Sequence, residues 1–182
     1  MKTITITLYS YNELSEKSQE KAISLLSDLN LHHEWWSDTY EDAKRVNLKI
    51  TSFDTDRDNY CNGDFITVAE TTATLILKEH GQDCTTFKTA KTFLNDYLPK
   101  KKKFEKENPG WYFTHEDEAC QMEADFLKAI LKDYLLILKK EVEYRESKAA
   151  ILETIEANDY LFFEDGKLIP VKYYPEAKPI EQ

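Results

Sequence analysis

The chain predicts an α+β fold: a small antiparallel sheet covered by about six helices, one of them a long helix near residues 115–144. Three observations carry this. Strand and helix patterns segregate along the sequence with no regular βα alternation, which argues against a doubly wound parallel sheet. The chain opens on alternating Thr3, Thr5, Thr7 and Ile4, Ile6, Leu8, and it nears its end in a hairpin pattern around Asp165-Gly166. Between these, apolar residues recur at helical spacing over most of the 182 residues, enough chain for a sizeable core.

Residues 3–10 read as a strand with isoleucine and leucine on one face. Ser15 is the expected N-cap of a helix over 15–30, with Ala22, Leu25, Leu26 and Leu29 on its buried stripe. A second helix is expected over 34–46, burying Trp36, Tyr40 and Ala43. Residues 48–53 read as a strand, and Asn62-Gly63 reads as a turn after it. Thr67 and Glu70 form a capping-box pattern for a helix through His80, closed by Gly81. Phe87, Ala90, Phe93, Leu94 and Tyr97 mark another helix, ended by Pro99. A lysine-rich linker over 99–114 leads to the long helix, whose apolar set includes Met122, Phe126, Ile130, Leu131, Tyr134, Leu138 and Val142. A short helix to Asn158 follows, then the hairpin of 160–163 and 168–171. Residues 1–175 are expected to form a single domain, with 176–182 a tail.

Charge separates the surfaces. Residues 1–84 carry 8 basic against 15 acidic side chains, residues 85–110 carry 7 against 3, and residues 111–182 carry 9 against 16. The net charge of −10 repels nucleic acid over most of the chain and makes a basic protein partner easier to attract. The three cysteines, Cys61, Cys84 and Cys120, are widely spaced and odd in number. That fits reduced thiols better than zinc or a disulfide framework. With no apolar run long enough for a signal peptide or a membrane span, the expectation is a soluble cytoplasmic protein.

The four glycines are too scattered to build a phosphate-cradling loop, which needs two or three within a few residues. Neighbouring His32 and His33 point apart, and no His-Glu-x-x-His motif exists. His115 and Glu118 have ligand spacing at a helix start but pair equally well without a metal. His80, in a last helical turn, fits a favourable interaction with the helix dipole. No cofactor and no metal are expected.

Asp54, Asp56 and Asp58 recur at period two, on one face if extended, with Asp64 returning beyond the expected turn. They match the first ligand positions of a calcium loop, but Asn59 replaces its glycine and Phe65 its bidentate glutamate. Two readings remain: a solvated acidic hairpin, or a row of carboxylates presented to a partner that expects nucleic acid. Lys100, Lys101, Lys102, Lys103 and Lys106, with Phe104, Trp111, Tyr112 and Phe113 nearby, read as a solvated linker or as a single-stranded nucleic-acid contact. A basic targeting signal is the third reading. Trp35, adjacent to Trp36, is a core residue or a protein-binding anchor.

Several stretches are familiar as motifs: Tyr11-Asn12-Glu13-Leu14-Ser15, Trp35-Trp36 with Tyr40-Glu41-Asp42-Ala43-Lys44, Ile50-Thr51-Ser52-Phe53-Asp54, Gly63-Asp64-Phe65-Ile66, Glu153-Thr154-Ile155-Glu156-Ala157-Asn158 and Glu164-Asp165-Gly166. Together they resemble small accessory proteins of phages and mobile elements, some labelled as the antitoxin of a toxin–antitoxin stability system. The resemblance covers most of residues 1–98 and 115–168 and brings no catalytic residues with it. It implies a mobile-element accessory context; the acidic, compact chain with no active-site motif adds the expectation of a non-enzymatic protein that binds and inhibits another macromolecule, an anti-defence inhibitor or an antitoxin. The alternatives from the residues themselves are a single-stranded nucleic-acid binder and a metal-dependent hydrolase built on Asp54, Asp56, Asp58 and His115.

Overall fold

The computed structural model describes residues 6–169, which form an α+β fold of six α-helices and a two-stranded antiparallel sheet. The alternating residues before Ile6, the strand end at Val171 and the expected tail lie outside the described residues. The chain divides into two compact units: one draws on its two ends, up to Trp35 and from Val142 onward, and the other is Trp36–Glu141.

The first unit starts with Ser10, whose N–H and hydroxyl both donate to Glu13 Oε2, at 2.7 and 2.8 Å. Helix α1 (Glu16–Leu25) is capped by Ser15, which accepts the Ser18 N–H at 3.3 Å. It ends earlier than its periodicity predicts, because Leu29–Leu31 forms a separate 3₁₀ turn. Leu25 is 53 % exposed and not part of the buried stripe. The stripe is centred on Ala22, Ile23 and Leu26, and Leu25 lies on the far side of Ala22 from the other two. Helix α6 (Lys148–Ala157) is capped by Ser147 and buries Ile151 and Ile155 in a cluster with Tyr11, Leu14, Ala22, Leu26 and Phe162.

The predicted opening strand and closing hairpin meet as isolated bridges: Tyr9 and Phe162 exchange backbone hydrogen bonds at 2.9 and 2.8 Å, and Phe162 also bridges Leu168. Gly166 makes the turn at φ +82, and a Cβ there would lie 2.2 Å from the Ser18 carbonyl oxygen, so only glycine fits.

In the second unit, helix α2 (Ser37–Arg45) leads through Asn47, at φ 62, into strand β1 (Leu48–Asp54). Strand β2 (Tyr60–Phe65) pairs with it from Leu48↔Phe65 to Asp54↔Tyr60, with a bulge at Thr51. Asn62-Gly63 is therefore inside a strand and is not the turn. Its glycine serves close approach: a Cβ on Gly63 would lie 2.4 Å from the Lys49 carbonyl oxygen. Residues 55–58 reverse the chain, with Asn59 at φ 50.

Helix α3 (Ala69–Glu79) lacks the expected capping box: its N-cap is Val68, and Glu70 instead accepts from Lys101 Nζ at 2.7 Å. Helix α4 (Thr85–Glu107) runs straight through Pro99, so most of the expected linker is helix. Tyr97, Leu98 and Phe104 keep burying apolar surface on both sides of the proline, and that packing outweighs the lost hydrogen bond. Helix α5 (Asp117–Arg145) is the predicted long helix. Phe65, Phe126, Phe93, Tyr97, Phe113 and Phe104 follow one another as a chain of ring contacts, with centroids 4.3 to 5.6 Å apart.

Candidate functional site

The β1–β2 hairpin tip is organised by Asp54. Its Oδ1 accepts the N–H groups of Asp56 at 2.7 Å and Arg57 at 3.0 Å, closing the reversal from within. The four aspartates therefore do not form a period-two row. Asp54 ends β1 and serves its own loop, Asp56 and Asp58 lie on the bend, and Asp64 stands on β2 opposite Lys49. The bend forms because Asp54 side-chain bonding competes with an extended backbone there. Asp56, Asp58 and Asp64 are exposed, and their carboxylates make no hydrogen bond or ion pair with the described residues.

Trp35 and Trp36 are both half-buried. Trp36 meets Phe53 edge-on at 5.7 Å, with Tyr40 against the same ring at 6.1 Å, which stiffens the hairpin one pair short of its bend. Trp35 belongs to the other unit.

The lysines divide. Lys100 pairs with Glu118 at 2.6 Å and Lys101 with Glu70 at 2.7 Å, and Lys101 is held above its usual pKa by that bond. Lys102, Lys103 and Lys106 remain exposed on adjacent turns of α4. Of the four aromatic residues, Phe113 is buried and Phe104 packs on it at 5.6 Å, so neither is free to stack on a base. Trp111 and Tyr112 are 69 % and 68 % exposed.

A buried polar cluster escapes sequence reading altogether. His80 is the residue just past α3, beyond the last helical turn in which its dipole interaction was expected. Its Nδ1 lies 2.8 Å from Thr86 Oγ1, and its Nε2 lies 3.4 Å from Asp42 Oδ2, a long contact that is an ion pair only when the ring is protonated. The Tyr134 hydroxyl donates to the same carboxylate oxygen at 2.9 Å, and Arg45 donates to the other at 2.8 Å. The His80 ring, then Tyr134 and Arg45, hold the Asp42 carboxyl down at about 2 against the opposing effect of burial. Burial and the Asp42 charge push the Tyr134 hydroxyl well above its usual range. The order Thr86–His80–Asp42 has the look of a nucleophile, base and orienting acid. Thr86 is 2 % exposed and the His80 side chain 9 %, which leaves no room for a substrate. The cluster ties α2, α3, α4 and α5 together. No spacing rule links positions 42, 80, 86 and 134, which come from four elements.

Among the described residues, no group of three or more His, Cys, Asp or Glu side chains is arranged to hold a metal ion. Nor is any helix there long and apolar enough to cross a membrane. No protein-family model matches the chain, and no curated protein or solved structure matches it.

Proposed function

We propose that the protein binds a basic site on another macromolecule through the tip of the β1–β2 hairpin and so blocks that site. The observation that carries the reading is the pairing of a braced loop with unspent charge. Asp54 fixes the bend through two backbone bonds, Asp56 and Asp58 on that bend point no hydrogen bond inward, and Asp64 adds an exposed carboxylate farther down β2, beside Lys49 near the hairpin's root. A braced loop loses little conformational freedom on docking, so more of its electrostatic attraction survives as affinity. The net charge of −10 steers the whole chain toward a basic target. The mobile-element proteins that it resembles supply the setting: an anti-defence inhibitor or an antitoxin, acting without catalysis.

The test is a triple variant, Asp56→Lys with Asp58→Lys and Asp64→Lys, that leaves Asp54 in place. Exposed changes of this kind alter stability by within about 0.5 kcal/mol. Wild-type protein immobilised in host lysate is expected to retain a nucleic-acid-binding protein that competing duplex DNA releases. The triple variant is expected to retain none. Capture of the same partner by a folded triple variant would sink the reading.

One observation favours a second reading. Trp111 and Tyr112 stand exposed close in sequence to Lys102, Lys103 and Lys106, a combination that suits single-stranded nucleic acid. Two of the five lysines already being paired weakens it. Sub-micromolar binding of a single-stranded oligonucleotide, lost on Trp111→Ala, would make it the better account.

A further inference from the structure

Helices α4 and α5 enclose a groove of about 510 Å³, within the size range of small-molecule sites. Its base is aromatic and rigid. Phe93 stacks on Phe126 at 4.3 Å and 10°, and Phe126 stacks in turn on Phe65 at 5.6 Å and 19°. Phe93 and Phe126 are both nearly fully buried, so the base is fixed by the core behind it. The walls carry opposed features. Asp96 from α4 and Asp125 from α5 place one exposed carboxylate on each side, and Gln121 donates to Asp125 Oδ1 at 3.0 Å. Asp133, only 9 % exposed, sits behind Thr89 and accepts that hydroxyl at 2.6 Å. Lys88 is the one cation of the lining, and its Nζ donates to the Asp83 carbonyl at 3.0 Å.

Each class of ligand meets this lining differently. An anion faces two wall carboxylates and a third behind Thr89. A neutral apolar molecule covers the carboxylates and strips their water without replacing it, which is costly. A cation with a flat apolar body satisfies both features at once, since its charge meets the walls and its body meets the apolar part of the lining, Met122 and Ala129 with the little that the buried rings expose. We infer that this groove is a binding site for a small organic cation, an amine, amidine or guanidine carried on an apolar body. The site is independent of the hairpin tip and of the partner that the tip would bind.

Benzamidinium and its neutral isostere benzamide test it on the full chain, by amide chemical-shift titration of isotopically labelled protein. Benzamidinium is expected to give saturable shifts centred on Thr89, Phe93, Asp96, Asp125 and Phe126, and benzamide at least tenfold weaker ones. The Asp96→Asn, Asp125→Asn double variant is expected to weaken benzamidinium at least tenfold while its melting curve stays in place. Lys88→Ala, which removes the competing cation, is expected to tighten it; this second variant keeps the test decisive if the double variant misfolds. Equal binding of benzamide, shifts spread away from α4 and α5, no saturable shift, or unchanged affinity in the folded double variant would each overturn the inference.

Discussion

Asp54 shares one carboxylate oxygen between two backbone N–H groups, so its removal leaves both donors without their protein acceptor. Asp54→Ala is expected to lower stability by about 1–2 kcal/mol, on the scale of a lost cap with a charged acceptor. Urea unfolding measures it, and an unchanged midpoint would mean the bend is held by other contacts. Asp42 has a different signature, because its charge state and not its shape is at stake. Its carboxyl titrates at about 2 in the folded chain against 3.8 ordinarily, so the ionised form favours folding. The stability that it contributes is complete above the ordinary carboxylate value and is lost as pH falls through about 2. The stability difference between wild type and Asp42→Asn is therefore expected to shrink between about pH 5 and about pH 2. A difference that stays constant over that window would remove the charge from the argument. Asn47, Asn59 and Asp159 all stand at positive φ, a conformation that neither apolar periodicity nor motif spacing signals. Their left-handed backbone is a property of the turn they complete, and asparagine and aspartate tolerate it better than other side chains.

At the scale of elements, Pro99 is the informative case. Inside α4 it supplies no N–H to the carbonyl one turn earlier, and its ring crowds that carbonyl. Pro99→Ala is expected to raise stability by about 1–3 kcal/mol, read as a higher thermal midpoint. A lower midpoint would assign the ring a packing role. The same residue explains where the sequence misleads. A proline before a lysine run looks like the end of a helix, yet Phe104 beyond it still has a core to reach, and the packing decides. Amphipathic periodicity over Phe126 to Leu138 was legible because α5 buries one face along much of its length. Serine caps at Ser15 and Ser147 form real side-chain bonds, whereas Thr67 and Glu70 matched the capping pattern but Glu70 found Lys101 instead. The hairpin aspartates were legible as acidic and exposed but not in their roles. Asp54 turning inward depends on the bend at 55–58, and a period-two pattern cannot reveal a bend. The groove between α4 and α5 was invisible for a related reason. Its residues come from two helices whose spacing is set by the stacked phenylalanines between them.

For the whole molecule, the charge layout sets an acidic remainder against one basic stretch, residues 85–110. An oligothymidylate strand is expected to show no binding at micromolar protein in physiological salt, because the acidic remainder of the chain opposes what three exposed lysines attract. The division into two units gives a second expectation. Residues 36–141 are contiguous and contain one entire apolar cluster, from Ala43 to Tyr134, so this segment alone is expected to unfold cooperatively in urea. A gradual, featureless curve would mean that it borrows stability from the ends. The other unit has no such independence, because Leu14, Ala22 and Leu26 are buried against Ile151, Ile155 and Phe162 from the opposite end of the chain. On a ribosome this inverts the usual order of vectorial folding. The leading segment emerges first, and at about 5–20 residues per second it waits on the order of ten seconds for its partners while the middle of the chain is made and folds ahead of it. Through that interval its apolar stripe is open to chaperones, and a transcript broken soon after codon 141 would release a folded body with an adhesive leader.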